Sequence, residues 1–205
     1  MKLSDTDFNI LELCSQNRET PKNLAAALDI EANYASNELT KLKREKLVTQ
    51  PGPADTSGMY IVTEKGSFVL SKRSKYDRRQ ADLFGQLVES AVEIAETLDD
   101  ETGDQDVRPG DVVITSQSAF DLLHSLQDRP GGFTARDLRD TPEMNLAAIQ
   151  GSLYELYFFD LLDRGKTSEG VVYDLTGKAR TLLDDAPAQP DVMSINRSWN
   201  VPSAP

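Results

Sequence analysis

The stretch Glu31–Lys46, EANYASNELTKLKREK, carries Asn33, Tyr34, Asn37 and Lys41 at spacings that one helix would turn outward together. Two carboxamides, a phenol and an ammonium form a recognition set rather than a reactive one. A carboxamide can pair with adenine N6 and N7, and an ammonium can donate to guanine O6 and N7 or to a phosphate. The tyrosine offers a hydroxyl and an apolar ring to a thymine methyl or the nucleic-acid backbone. Thr20, Lys22 and Asn23 fall where a shorter helix should begin, so free amides plus a lysine suit a phosphate there. Catalytic inventories fail. The only histidine, His124, lies among Phe120, Leu123 and Leu126, and the only cysteine, Cys14, sits beside Ile10 and Leu11. No His/Cys cluster and no glycine-rich loop ending in Lys-Ser/Thr occurs, so neither enzyme activity nor a metal or cofactor is expected.

The elements needed to hold that set can be read around it. Ala35, Leu39 and Leu42 form the inner stripe of an amphipathic helix that runs into Leu47-Val48. Upstream, Thr20-Pro21 reads as an N-cap with proline at the first helical position, opening a helix from Pro21 to Leu28. Earlier still, Ser4 opens a helix whose Asp5 and Asp7 suit its dipole and whose Phe8, Ile10, Leu11 and Leu13 supply a buried side. Downstream, Leu47–Gln50, the turn-rich PGPADTSG and Met59–Val62 predict a two-stranded ribbon. Helix, turn, helix, ribbon is the order of a winged helix-turn-helix, which places its second helix in a DNA major groove.

From about Ser67 to Asp99 the pattern predicts one long helix. Its first part holds Lys72, Arg73, Lys75, Arg78 and Arg79, a basic run that could reach flanking phosphates or pair with acidic linker residues. Its second part repeats Phe84, Leu87, Ala91, Ile94 and Leu98 at three and four, an a/d seam suited to self-association. An acidic linker follows, ended by Pro109-Gly110. The second half then repeats the first. Ser116 answers Ser4, an offset of 112, and Leu156 answers Leu42, an offset of 114. Thr134 caps a short helix through Leu138, Asp140–Glu143 is the turn, Asp163–Gly170 is a second hairpin tip, and Val171–Leu175 returns. That is an internal duplication. The outward positions of the second copy's helix are Ala147, Ala148, Gly151 and Glu155, none basic, and the helix ends in Tyr157, Phe158 and Phe159.

The net charge of −12 is uneven. Residues 1–80 carry 13 Lys+Arg against 11 Asp+Glu, net +2, and residues 81–205 carry 9 against 23, net −14. The acidic composition resembles that of cytoplasmic proteins of extreme halophiles, where a Debye length of about 3 Å would leave binding to short-range contacts. No apolar run approaches the roughly 20 residues of a membrane span, and the N-terminus lacks a signal-peptide core, so a cytoplasmic location is expected.

DIEANYASNELTKLKREKLV, followed by a hairpin and MYIVTEKGSFVL, resembles the winged-helix regulators of the MarR and PadR type and the phage-repressor-like regulators of halophilic archaea. The resemblance covers residues 3–70 well and 114–183 more loosely. It implies a base-reading role for Asn33, Tyr34, Asn37 and Lys41. The sequence departs from the pattern at Asn37, where arginine is frequent, and at Lys46, where glycine is usual. The expected architecture is α+β and mostly α, with two winged helix-turn-helix domains joined by a long helix. Its parts are a DNA-binding domain over 1–70, a dimerisation helix over 71–99, an acidic linker over 100–110, a second winged-helix domain over 111–185 and a disordered tail over 186–205. The expected function is that of a homodimeric transcriptional regulator bound to double-stranded DNA through Asn33, Tyr34, Asn37, Lys41, Thr20, Lys22, Asn23, Lys72 and Arg73. The second domain would serve assembly, signal input or a protein partner. The alternative is a tandem winged-helix adaptor resembling segregation and condensation subunits, without specific DNA binding.

Overall fold

The computed structural model describes residues 1–51, 58–102, 106–129, 132–139, 144–168, 170–186 and 191–200. These are mostly helical, with short antiparallel strands. They divide into two compact units, Met1–Val88 and a second beginning at Glu89. Among the described residues no helix is long and apolar enough to cross a membrane.

The first unit contains α1 (Asp5–Gln16), α2 (Pro21–Leu28), α3 (Ala32–Arg44), β1 (Val48–Thr49), β2 (Ile61–Val62) and α4 (Glu64–Ser71). Each boundary has a local cause. Ser4 and Asp7 form a reciprocal capping box at α1. Thr20 accepts from the Asn23 amide ahead of Pro21, and Thr63 accepts from the Gly66 amide at α4. Leu24, Ala35, Leu39, Leu42, Leu47 and Val48 are buried with Ile10 and Leu11 of α1. Each large side chain so buried contributes about 1.5–3 kcal/mol. Gly66 permits the closest approach in this unit, since a Cβ there would meet the Leu47 carbonyl oxygen at 2.0 Å. The PGPADTSG tip lies almost wholly outside the described residues.

The long helix expected from Ser67 to Asp99 is two helices. After α4 the chain turns through short 3-10 segments at Arg73–Lys75 and Arg78–Gln80, and α5 runs from Ala81 to Thr102. Tyr76 and Asp77 between them are extended. The cause is the Tyr76 side chain, which leaves the helical path to fill the core. Its ring meets Phe8 at 5.4 Å and Phe84 at 5.0 Å, both edge-on, and its hydroxyl accepts from the Leu3 amide at 2.9 Å.

The dimerisation seam is corrected as well. Phe84, Leu87, Ala91 and Leu98 are already buried within one chain, and only Ile94 is half-exposed. The boundary between units falls inside α5, so the seam serves the cores of single chains instead of waiting for a second copy.

The second unit continues with a 3-10 turn at Pro109–Asp111, then α6 (Gln117–Ser125), α7 (Leu146–Phe158), β3 (Leu162–Thr167), β4 (Gly170–Leu175), α8 (Gly177–Asp185) and α9 (Val192–Asn200). The duplication holds down to backbone detail. Lys46 and Asp160 both adopt left-handed backbone, at φ 59° and 61°. The Leu47 amide donates to the Leu42 carbonyl at 2.9 Å, and the Leu161 amide to the Leu156 carbonyl at 2.8 Å. The Thr63 hydroxyl donates to the Lys46 carbonyl at 2.7 Å, and the Thr176 hydroxyl to the Asp160 carbonyl at 2.8 Å. An isolated bridge joins Glu19 to Tyr60 in one unit and Phe133 to Tyr173 in the other.

Three expectations for this half change. The segment after Thr134 is a turn, not a helix, closed by the Asp137 carboxylate accepting from the Thr134 amide and hydroxyl. Residues 163–167 are strand, paired with 170–174, so the hairpin is longer than expected. The tail is not structureless over 192–200. There α9 buries Ile195 and Asn196, and the Asn196 carboxamide accepts from the Val113 amide at 2.8 Å and donates to the Ile114 carbonyl at 2.7 Å. A polar side chain anchors this helix, which apolar periodicity could not reveal. The Asp140–Glu143 turn lies outside the described residues.

Candidate nucleic-acid interface

Helix α3 advances about 100° per residue, so burial of Ala35, Leu39 and Leu42 fixes what its opposite side presents. That side is Asn33, Asn37, Thr40 and Arg44, all exposed. The side chains of Asn33, Asn37 and Arg44 have no hydrogen bond or ion pair with another described residue, and the Thr40 hydroxyl donates to the Ser36 carbonyl one turn back at 2.8 Å. The helix is held by packing against α2, α1 and β1. Tyr34 is exposed at 42% but points along a flank of this stripe.

Lys41 is not part of the outward set. Lying six residues beyond Ala35, it falls on the flank that meets the start of α1. Its ammonium donates to Asp7 Oδ2 at 2.5 Å and to Glu38 Oε2 at 3.0 Å. Asp7 is fully buried, and its second oxygen, Oδ1, has no hydrogen-bond partner among the described residues. Burial would raise the Asp7 carboxyl, but Lys41 and the Ser4 amide and hydroxyl together hold it below its ordinary value. Partial burial would lower the Lys41 ammonium, but the two carboxylates raise it. Lys41 therefore locks α3 to α1.

The other expected contacts divide. Lys22 and Asn23 have exposed side chains at the start of α2, but the Thr20 hydroxyl is occupied as a cap. Lys72 and Arg73 do not lie on a long helix. Lys72 sits 6.0 Å from the Phe68 ring centre. Arg73 donates to Asn9 Oδ1 at 3.0 Å and to Glu12 Oε2 at 3.3 Å, 5.5 Å above the Phe8 ring. Its charge is spent on α1. Thr40 and Arg44 were missed by sequence reasoning, although counting opposite to Ala35, Leu39 and Leu42 would have found both.

In the second unit the same geometry carries different chemistry. Ala147, Gly151, Tyr154 and Phe158 occupy the places of Asn33, Asn37, Thr40 and Arg44. Tyr154 and Phe158 are buried, at 3% and 0% exposure, so half of that stripe is closed. Glu155 is not outward either. It is buried, and its carboxylate accepts from the Thr115 amide and hydroxyl at 2.7 and 2.9 Å and from the Ser116 amide and hydroxyl at 2.8 and 2.6 Å. It thereby caps α6, where the third residue is Ala119 and no side-chain carboxylate is at hand. No protein-family model, no curated protein and no solved structure matches the chain.

Proposed function

We propose that the chain is a sequence-specific, DNA-binding transcriptional regulator built from two winged helix-turn-helix modules, the first of which reads the major groove with α3. The observation that carries this reading is the exposed stripe Asn33–Asn37–Thr40–Arg44 on a helix locked by Lys41 to Asp7. Free carboxamides and a guanidinium on one face of a fixed helix match base edges and phosphate. The second module does not read DNA. Its equivalent stripe offers two small residues and two buried aromatics, in a half with net charge −14. Its role is assembly or signal input. Since Phe84, Leu87, Ala91 and Leu98 are buried in one chain, a homodimer would have to use other surfaces.

The burial of the α7 stripe favours a second reading, a protein-binding adaptor, over independent DNA binding by both modules. Selection of duplexes from a random pool by the intact chain, at moderate salt, separates the two. A regulator enriches one discrete motif, which the Asn37→Ala variant loses; an adaptor enriches none.

A further inference from the structure

Asn33 and Asn37 are four residues apart on the open face of α3, and neither side chain is hydrogen-bonded to another described residue. Four helical residues rise about 6 Å. Two base steps of one strand span about 6.8 Å. A carboxamide is matched to adenine, because its oxygen accepts from N6 while its nitrogen donates to N7. Lys41 is tied to Asp7 and Glu38, and Arg73 to Asn9 and Glu12. In this unit Arg18, Lys22, Arg44 and Lys46 are exposed with no side-chain partner among the described residues, and exposed Lys43 on α3 donates to the neutral Gln50.

Resting on the DNA-binding reading above, we infer that α3 recognises two adenines two base steps apart, one through Asn33 and one through Asn37, by neutral contacts. Neutral carboxamides displace no condensed counterions, whereas each neutralised phosphate steepens the salt dependence. The carboxamide contacts therefore leave the slope of log K against log salt to the cations alone. Thr40, between the carboxamides and Arg44, adds a hydroxyl to the same edge and no charge.

The test uses the intact chain and the duplex that it enriches from a random pool. Each adenine of that duplex is replaced in turn by 7-deazaadenine, which keeps the base pair and the groove shape and lacks only the N7 acceptor. Replacement at two adenines, two steps apart, is expected to weaken binding by about five- to a hundredfold each. Asn33→Ala should abolish the sensitivity at one of them and Asn37→Ala at the other, while the salt slope stays that of the parent. A discrete motif that is indifferent to 7-deazaadenine, or a salt slope that the Asn variants change, overturns the carboxamide readout and leaves the regulator reading standing. No enriched motif at all overturns both.

Discussion

Lys41 and Glu155 hold the same place in two copies of one arrangement and carry opposite charges. Lys41, six residues after Ala35, donates to Asp7 beside the Ser4 cap; Glu155, six residues after Ile149, accepts directly from the Ser116 cap. In the first unit the capping carboxylate belongs to α1 and the helix α3 supplies its cation. In the second, Ala119 stands where Asp7 would, and α7 supplies the carboxylate itself. One link ties α3 to α1, the helix that opens the first copy, and the other ties α7 to α6, which opens the second.

That equivalence can be transplanted. Glu155→Lys should destabilise the second unit by more than about 3 kcal/mol, because it removes the acceptor of four donors and buries an unpaired charge. Adding Ala119→Asp should recover a substantial part by recreating the pairing of the first unit. Denaturant titration of the intact chain checks both variants.

In the first unit, Lys41→Ala leaves Asp7 buried without its cation. A cost of about 1–3 kcal/mol is expected, discounted because the Lys41 side chain is 32% exposed. A double-mutant cycle with Asp7→Ala should show coupling between the two. Any loss of DNA affinity in Lys41→Ala should be uniform across sequences, since its ammonium is engaged by Asp7 and Glu38 and positions the helix.

The same pair sets a pH window. The lowered Asp7 value gives stability that is present above the unfolded value of about 3.9 and lost as pH falls through the folded one. The raised Lys41 value gives stability that is present below about 10.4 and lost as pH rises through the folded one. Asp7→Asn should flatten the acid limb of a stability–pH profile, and Lys41→Met the alkaline limb.

Cys14 is buried on α1, and burial together with the charge of Glu19 pushes its thiol up to about 12. Alkylating reagents at pH 8 should leave it unmodified in the folded chain and modify it fully in denaturant. Rapid labelling of the native protein would show that α1 opens locally.

Much of this fold was legible from short-range rules. Ser4, Thr20, Thr63, Ser116 and Thr176 each cap a helix as their side chains require, and the buried stripe of α3 follows from spacing alone. What escaped depends on contacts distant in sequence. Tyr76 breaks a helical pattern because its ring belongs between Phe8 and Phe84. Asn196 orders the tail by bonding to backbone more than 80 residues away. Lys41 looked like a base contact because nothing local reveals Asp7, 34 positions earlier, as its partner. The burial of Phe158 and Phe159 at the end of α7 escaped as well, because periodicity cannot say which side of an apolar helix is covered.

The assignment of DNA reading to the first module is tested most directly by two variants of the intact chain on its selected duplex. One is Asn33→Ala/Asn37→Ala; the other is Gly151→Asp, at the matching place in the second module, where an added Cβ meets open space. Affinity for the selected and for an unrelated duplex is measured by anisotropy at fixed salt. The expected result is that the double variant binds both duplexes alike while Gly151→Asp keeps the parent's preference. Retained preference in the double variant, with loss in Gly151→Asp, would contradict it and move the reading surface to α7.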